Sequence, residues 1–199
     1  MAALVVLAVP AAAQPASSWV RHQGEGFSVE LPSSWANEKD RARLIREIRN
    51  IAAGDPELAG IMDNLLAAGE SNVAVKMIAF DLAKSSLKTG FATNLNVVRE
   101  RTSLPLTAWR QEALKALNSM SFVVEPIWWR NVKLPAGKAV RLNYRARFNV
   151  GGKRLDTSIT QYALMDDGAA VVLTYTTVPN LAKGYRATFE RSAKSFRFR

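Results

Sequence analysis

The sequence contains few side chains that could perform acid–base or nucleophilic chemistry. His22 is the single histidine, and cysteine is absent. A Ser-His-Asp triad or a multi-histidine metal site would need to be built around one histidine close to the N-terminus, where chains are often poorly ordered. Because such a segment is a poor scaffold for a site, we expect His22 to be exposed and to have no catalytic or metal-binding role.

Paired carboxylates offer another route to chemistry, since a glycosidase uses two of them across a cleft. Asp166 and Asp167 precede Gly168, a pattern typical of a turn in which aspartate side chains bond local backbone amides. Phosphate-binding and dinucleotide-binding glycine patterns are absent from the sequence. We therefore predict a non-enzyme without catalytic residues, metal ligands or a cofactor. A hydrolase with an unidentified carboxylate site is retained as an alternative.

A basic strand is the clearest indication of a binding surface. Residues 139–150 alternate without interruption between apolar side chains and a polar set that includes Arg141, Asn143, Arg145 and Arg147. Because successive side chains of a strand point to opposite faces, one face is predicted to be core and the other basic. The basic face could hold an anionic group by charge-assisted hydrogen bonds.

The glycine pair Gly151-Gly152 predicts a two-residue hairpin loop after this strand. In that register Arg147 opposes Asp156 on the polar face, and apolar residues oppose each other on the core face. A slip of one residue would place Arg147 beside Leu155, so the chemistry of both faces supports the same register.

The preceding turn brings a tryptophan to the basic strand. If Pro135 to Gly137 form a three-residue loop, Trp129 opposes Asn143 and lies diagonally between Arg141 and Arg145. Its ring would add a cation–π contribution to the binding of an anionic or aromatic group. The predicted binding residues are therefore Trp129, Arg141, Asn143, Arg145 and Arg147.

A covered face is the alternative to an exposed binding surface. A predicted acidic helix carries Asp55, Glu57, Asp63 and Glu70. If this helix packs on the basic face, its carboxylates would pair with the arginines and remove them from solvent. Both arrangements are compatible with the sequence.

Hydrophobic periodicity and turn residues predict the remaining elements. Helices are expected at about 37–54, 55–69, 105–120 and 181–195, with Trp109, Ala113, Leu117 and Met120 on one side of the third. Strands are expected at about 27–31, 73–80, 91–99, 122–134, 139–150, 153–165 and 169–178, with a polar loop through residues 84–86. No repeat or linker interrupts them, so residues 14–199 are predicted to form a single domain.

Positive charge is concentrated in the second half of the chain. The net charge is +10, and residues 101–199 contain 17 Lys and Arg against six Asp and Glu. A surface of this kind attracts polyanions through a long-range, salt-sensitive field. The expected partners are a protein or an acidic envelope polymer, with contact to a membrane surface as a further option. Nucleic acid is not expected, because residues 1–13 have the character of a signal peptide and indicate export.

Several segments, in order along the chain, resemble a known family. They are Gly26–Trp35, Phe91–Val97, Val132–Tyr144, Thr160–Tyr162 and the ending with Tyr185, Phe189 and Ser195-Phe196. Together they resemble the PsbP-like superfamily, which includes PsbP and LpqN-type lipoproteins and is also known as the Mog/PsbP fold. The resemblance implies an α/β (α+β) fold with an antiparallel β-sheet sandwiched between α-helices. It also implies a partner-binding module without catalytic residues.

These observations predict an exported, non-enzymatic binding or accessory module that docks on an envelope protein or an acidic polymer. The expected location is periplasmic or secreted, in soluble form without a lipid anchor, because the lipidated cysteine of the lipoprotein members is missing. A carrier for a small apolar ligand is the second alternative, beside the hydrolase.

The N-terminal residues 1–13 have the character of a signal peptide. An apolar run from Ala2 to Val9 is followed by Pro10 and three alanines, which suits cleavage after Ala13. We expect the mature chain to begin at Gln14, and N-terminal sequencing of protein recovered from the periplasm or medium tests this. A mature chain that still begins at Met1 would contradict the prediction.

Overall fold

A computed structural model describes residues 18–37, 75–124, 126–150 and 153–199, with the backbone alone at residues 149, 150 and 153. The predicted signal peptide, the body of the two helices predicted within 37–69 and the pair Gly151-Gly152 lie outside the described residues. Asn37 is the last residue of a strand.

Ten strands and three helices are described. The strands are β1 (Trp19–Gly24), β2 (Phe27–Pro32), β3 (Trp35–Asn37), β4 (Val75–Asp81), β5 (Asn94–Arg101), β6 (Trp128–Leu134), β7 (Gly137–Val150), β8 (Lys153–Asp166), β9 (Ala169–Thr177) and β10 (Arg197–Phe198). The helices are α1 (Lys84–Leu87), α2 (Leu106–Ser119) and α3 (Ala182–Ser195). None of these described helices has the length and apolar character that a membrane crossing requires.

The strands form two antiparallel sheets. The large sheet has the spatial order β3-β4-β5-β9-β8-β7-β6, and the small sheet has the order β1-β2-β10. Consecutive strands β6 to β9 are neighbours, as expected for hairpins joined by short turns. The predicted meander is therefore present.

The main core lies between one face of the large sheet, the small sheet and α3. Leu95 and Leu173 from the large sheet are fully buried there, together with Phe196 at the end of α3. Phe189 of α3 stacks on Tyr175 of β9 with ring centroids 4.7 Å apart. Aromatic rings therefore fix α3 on the sheet through large buried areas.

Helix α2 covers the opposite face of the large sheet. Leu117 packs with Leu142 and Ile159, and Trp109 packs with Ala163. The sheet thus has helices on both sides, which confirms the predicted α+β sandwich. Met120 departs from the expected apolar stripe of α2, because it lies after the last helical residue and is exposed.

The register predicted for the β7–β8 hairpin is confirmed. Twelve consecutive pairs run from Ala139 opposite Leu164 to Val150 opposite Lys153. Within this ladder Arg147 opposes Asp156, and its Nε donates a hydrogen bond of 2.6 Å to Asp156 Oδ1. We call the side of the sheet that carries Arg141, Asn143, Arg145 and Arg147 the arginine face; it is the side on which α3 packs.

The predicted register between β6 and β7 is wrong by one residue. Leu134 pairs with Gly137, so the loop contains two residues, and Trp129 lies opposite Leu142. Trp128 takes the place opposite Asn143. Because a shift of one residue moves each side chain to the other face of a sheet, Trp129 belongs to the α2 side and Trp128 to the arginine face.

The predicted exposure of His22 is also wrong. Only 7% of the surface of His22 is exposed to solvent, and the residue lies in β1 opposite Val29. The N-terminal segment of the described chain is a strand of the small sheet rather than a loose extension, because β2 pairs with β1 on one side and β10 on the other.

Three local predictions need correction. Residues 84–86 belong to the single-turn helix α1 rather than to a loop. The strand predicted at 122–134 begins at Trp128, and before it Val123 forms an isolated bridge to Ala146 of β7. Asp167 and Gly168 form the turn with φ values of 36° and 66°, whereas Asp166 ends β8 and binds Arg99 across 2.6 Å.

The contact of Phe189 with Tyr175 leads to a prediction on stability. Replacing Phe189 by alanine leaves a cavity in the main core, so we expect the free energy of unfolding to fall by about 3–5 kcal/mol. Urea denaturation followed by circular dichroism measures this loss. Lys183→Ala on the same helix is the control, because Lys183 is exposed; equal stability of the two variants would place α3 outside the folding unit.

Burial of the tyrosines leads to a second prediction, on alkaline stability. Burial raises the pKa of Tyr144 to about 12, and burial with a hydrogen bond of 2.5 Å to Asp81 raises the pKa of Tyr185 to about 12. An unfolded tyrosine ionises near pH 10, so the unfolded chain loses these protons first. The stabilising effect is therefore complete below about pH 10 and decreases as the pH rises to about 12.

The pKa values of Tyr162 and Tyr175, the other two tyrosines of the chain, are also raised by burial. The near-ultraviolet absorbance of tyrosinate during an alkaline titration measures their ionisation. We expect little signal from the folded protein near pH 10 and a steep rise that coincides with unfolding. A full tyrosinate signal from folded protein at pH 10 would contradict this expectation.

Candidate functional site

A groove of about 400 Å³ opens on the arginine face beside the first turns of α3. Arginines dominate it, and none of its lining residues is acidic. The lining consists of Arg130, Arg141, Asn143, Ser158, Thr160, Ala182, Arg186 and Phe189. We call it the arginine groove.

Strand pairing brings the sheet residues of the arginine groove together. Arg130 of β6 opposes Arg141 of β7, and Thr160 of β8 opposes Asn143. Side chains at directly opposed positions share one face of an antiparallel sheet. The Thr160 hydroxyl donates a hydrogen bond of 3.0 Å to Asn143 Oδ1, which orients the Asn143 amide beside the arginines.

Arg141 is the most buried charge of the groove, since only 9% of its side chain is exposed. Its Nη1 donates a hydrogen bond of 3.2 Å to Glu190 Oε1 on α3, and Arg130 Nη2 lies 3.7 Å from the same oxygen. One carboxylate oxygen is thus shared by two guanidinium groups. The Nε–H of Arg141 is buried and has no hydrogen-bond partner among the described residues.

A buried guanidinium with an unused donor is costly unless an acceptor can reach it. Tyr162 closes the arginine face below Arg141, with its ring centroid 5.6 Å from the guanidinium carbon. Burial raises the pKa of Tyr162, while the nearby Arg141 charge acts in the opposite direction. Tyr162 therefore stays a neutral phenol beside the cation at neutral pH.

Helix α3 contributes to the groove from the other side. Ala182, its first residue, and Arg186, one turn later, both line the groove. The N-terminal end of a helix carries partial positive charge from its free amides, so it adds to the potential made by the arginines. The arrangement suits a carboxylate or phosphate group, which accepts several hydrogen bonds at once.

The structure divides the predicted binding residues. Arg141 and Asn143 lie in the arginine groove. Arg145 is exposed on the same face, further along β7. Arg147 is occupied by Asp156, and their hydrogen bond lowers the pKa of that carboxyl. Trp129 lies on the α2 side, where the Arg110 guanidinium carbon stands 3.9 Å from its ring centroid.

Part of the arginine face is covered, as the alternative interpretation expected, and the covering element there is α3. Arg141 is covered by α3 and pairs with Glu190, whereas Trp128 on the same face is 74% exposed. The acidic helix predicted at 55–69 lies outside the described residues. The face is thus buried beside α3 and open towards β6.

The sequence did not indicate four residues of this region: Trp128, Arg130, Arg186 and Glu190. Trp128 and Arg130 would have followed from a two-residue turn, because both then share a face with Arg141. Arg186 and Glu190 lie four positions apart on α3, a spacing that indicates one helix face. Nothing local in the sequence shows which strand that face meets.

A larger groove of about 1010 Å³ lies elsewhere and has a different character. Its lining contains four basic and four acidic residues. Four of them form two ion pairs, Lys76 with Glu25 at 2.7 Å and Arg99 with Asp166 at 2.6 Å. Because its charges neutralise each other, this groove selects less strongly for an anion than the arginine groove does.

Comparison with known proteins gives a match of structure rather than of sequence. No family profile and no curated protein matches the sequence. The solution structure of cyanobacterial PsbP (CyanoP) from Synechocystis sp. PCC 6803 is 14% identical with a TM-score of 0.52, covering 97% of this chain and 99% of that one.

Two further solved structures are similar at lower scores. LpqN, described as involved in cell envelope biogenesis of Mycobacterium tuberculosis, is 11% identical with a TM-score of 0.47 over 91% of this chain and 89% of its own. A Pseudomonas aeruginosa protein of unknown function is 13% identical with a TM-score of 0.46 over 53% and 72%. The match to CyanoP, together with the antiparallel sheet between helices, shows that this chain has the PsbP-like fold.

Proposed function

We propose that the protein is an exported, non-enzymatic accessory module that docks on an acidic partner through the arginine groove. The partner is an acidic segment of an envelope protein or an acidic envelope polymer. The observation that carries the proposal is the group of three arginines that line one groove, with Arg141 nine-tenths buried and Arg130 and Arg186 exposed beside it.

Glu190 supports this choice of ligand chemistry. Its Oε1 lies between the Arg130 and Arg141 guanidinium groups, so the geometry of the arginines already suits a carboxylate. Arg186 lines the groove from α3 and forms no ion pair with any residue in the part of the chain that the structure describes. An incoming carboxylate can therefore engage the exposed Arg130 and Arg186, while Glu190 holds the buried Arg141 in place between them.

Partial burial makes these contacts stronger than surface ion pairs. An exposed pair contributes little because water screens it. At a site such as Arg141, the surrounding strands and α3 exclude most of the water, so each charge-assisted hydrogen bond is worth more. The basic second half of the chain would add a long-range attraction that accelerates encounter with a polyanion.

Export of the protein is supported by the signal-like residues 1–13, and the absence of cysteine is compatible with any compartment. The carrier and hydrolase alternatives have no comparable observation behind them. Within the described ranges, no three His, Asp or Glu side chains cluster closely enough to hold a metal ion.

Charge reversal at the groove tests the proposal with poly-L-glutamate as the probe. We expect the double variant Arg130→Glu, Arg186→Glu to weaken binding at least about tenfold, because both exposed cations of the groove become repulsive. The matched control is Lys88→Glu, Lys115→Glu, which makes the same change in net charge at exposed residues outside the groove. Fluorescence anisotropy at low and high salt measures the affinities. Equal weakening in both variants would mean that binding follows net charge alone.

A second variant tests the same groove in the opposite direction. Glu190→Gln keeps the shape of the side chain and its contact with Arg141 but removes the competing negative charge. We expect tighter binding of poly-L-glutamate, by about threefold to tenfold, and a steeper decrease with salt. Weaker binding by this variant would show that Glu190 belongs to the binding set rather than competing with the ligand.

A further inference from the structure

Strand β6 is the open edge of the large sheet beside the arginine groove. It is the last strand in the spatial order, and among the described residues it pairs with β7 alone. Its first four residues, Trp128 to Asn131, are all exposed. An edge strand of this kind presents a row of unpaired backbone donors and acceptors.

The direction of these backbone groups follows from the hydrogen bonds at the end of β7. Val124 N–H donates to Arg145 C=O at 3.1 Å, and Arg147 N–H donates to Phe122 C=O at 2.7 Å. The odd-numbered residues of β7 therefore point their backbone groups away from β8. Since this direction alternates along a strand, Arg141 and Asn143 bond to β6 as well.

The pairing register then identifies the groups that face the open edge. Arg141 and Asn143 oppose Arg130 and Trp128, so those two residues of β6 use their backbone groups within the sheet. The intervening residue Trp129 directs its N–H and C=O outwards, and Asn131 and Lys133 do the same two and four positions later. Three successive donor and acceptor pairs are thus available to another strand.

The two faces at this edge differ in chemistry. On the arginine face an added strand would lie beside exposed Trp128 and Arg130, with Arg186 across the groove. On the α2 side it would lie beside Trp129, which is 44% exposed and held by Arg110. Acidic side chains suit the first face, and apolar side chains suit the second.

We propose that β6 is a docking edge for an extended acidic segment of a partner protein, which adds to the sheet as a further strand. Its residues alternate between acids over the arginine groove and apolar side chains against Trp129. This inference rests on the proposed function and names the partner's form: a protein strand rather than a polysaccharide. Backbone pairing supplies much of the affinity in strand addition, and alternate side chains supply selectivity.

Charge argues against a second copy of this chain as the occupant. Two copies of β6 would bring Arg130 and Lys133 close to the same cations of the other copy, and the strand has no acidic residue to compensate them. Edges that only avoid aggregation are protected by charged residues, proline or bulges. The exposed pair Trp128 and Trp129 departs from that pattern and fits an edge that binds.

The test uses a capped peptide of alternating glutamate and valine, as long as β6, and its fully N-methylated form with the same charge. We expect the N-methylated peptide to bind about tenfold more weakly or worse, because it has no N–H donors to offer. In hydrogen exchange measured by NMR, the unmethylated peptide should slow the exchange of the Trp129, Asn131 and Lys133 amides. The exchange rates of the Arg130 and Val132 amides should stay unchanged. Equal binding of both peptides, or protection without this alternation, would overturn the inference.

A variant separates this inference from the proposed function. Asn131→Pro removes one outward N–H at an edge position that tolerates proline, and Asn131→Ala is the matched control that retains the N–H. We expect the proline variant alone to lose peptide binding while poly-L-glutamate binding is unchanged. If the proline variant still binds the peptide, the strand inference is overturned and the proposed function of the groove is unaffected. The binding of poly-L-glutamate to the Arg130→Glu, Arg186→Glu variant tests the groove separately. Sedimentation that shows dimers through β6 would assign the edge to a second copy and also overturn it.

Discussion

The unbroken pairing of β7 with β8 is the constraint from which the arginine groove follows. Twelve consecutive residue pairs contain no bulge, so the two faces stay separate along the whole hairpin. Arg141 and Asn143 are thereby held on one side, while Leu142 and Tyr144 are held in the core beneath α2. A strand that must be apolar on one face for stability leaves its other face available for binding residues. A change in the register of β7 would therefore move its apolar and its basic side chains to the opposite faces together.

Arg141 joins the stability of the fold to the chemistry of the groove. Its contact with Glu190 connects β7 to α3, and α3 is held by the stacking of Phe189 on Tyr175. A buried ion pair of this kind contributes little net stability, but loss of one partner leaves a buried charge uncompensated. The groove is therefore built on packed elements rather than on loops, which keeps its arginines in a defined geometry.

Much of this fold could be predicted from the sequence where local chemistry had a single solution. Both faces of the β7–β8 hairpin agreed on one register, and the Arg147–Asp156 pair followed from it. The turn after β6 was ambiguous, because Pro135 to Gly137 allow two or three loop residues and the exposed β6 has no apolar alternation to decide between them. The approach of α3 to Arg141 is a tertiary contact, so the role of Glu190 could not be read from local patterns.

The length of the turn between β6 and β7 determines which side chains of β6 lie on the arginine face. With Leu134 opposite Gly137, Trp128 and Arg130 share a face with Arg141. A turn one residue longer would instead bring Trp129 and the uncharged neighbour that follows Arg130 to that face, and it would turn the Arg130 guanidinium towards α2. Relatives of this fold could thus exchange a cationic recognition surface for an aromatic and amide one by altering loop length alone, with every side chain of β6 unchanged.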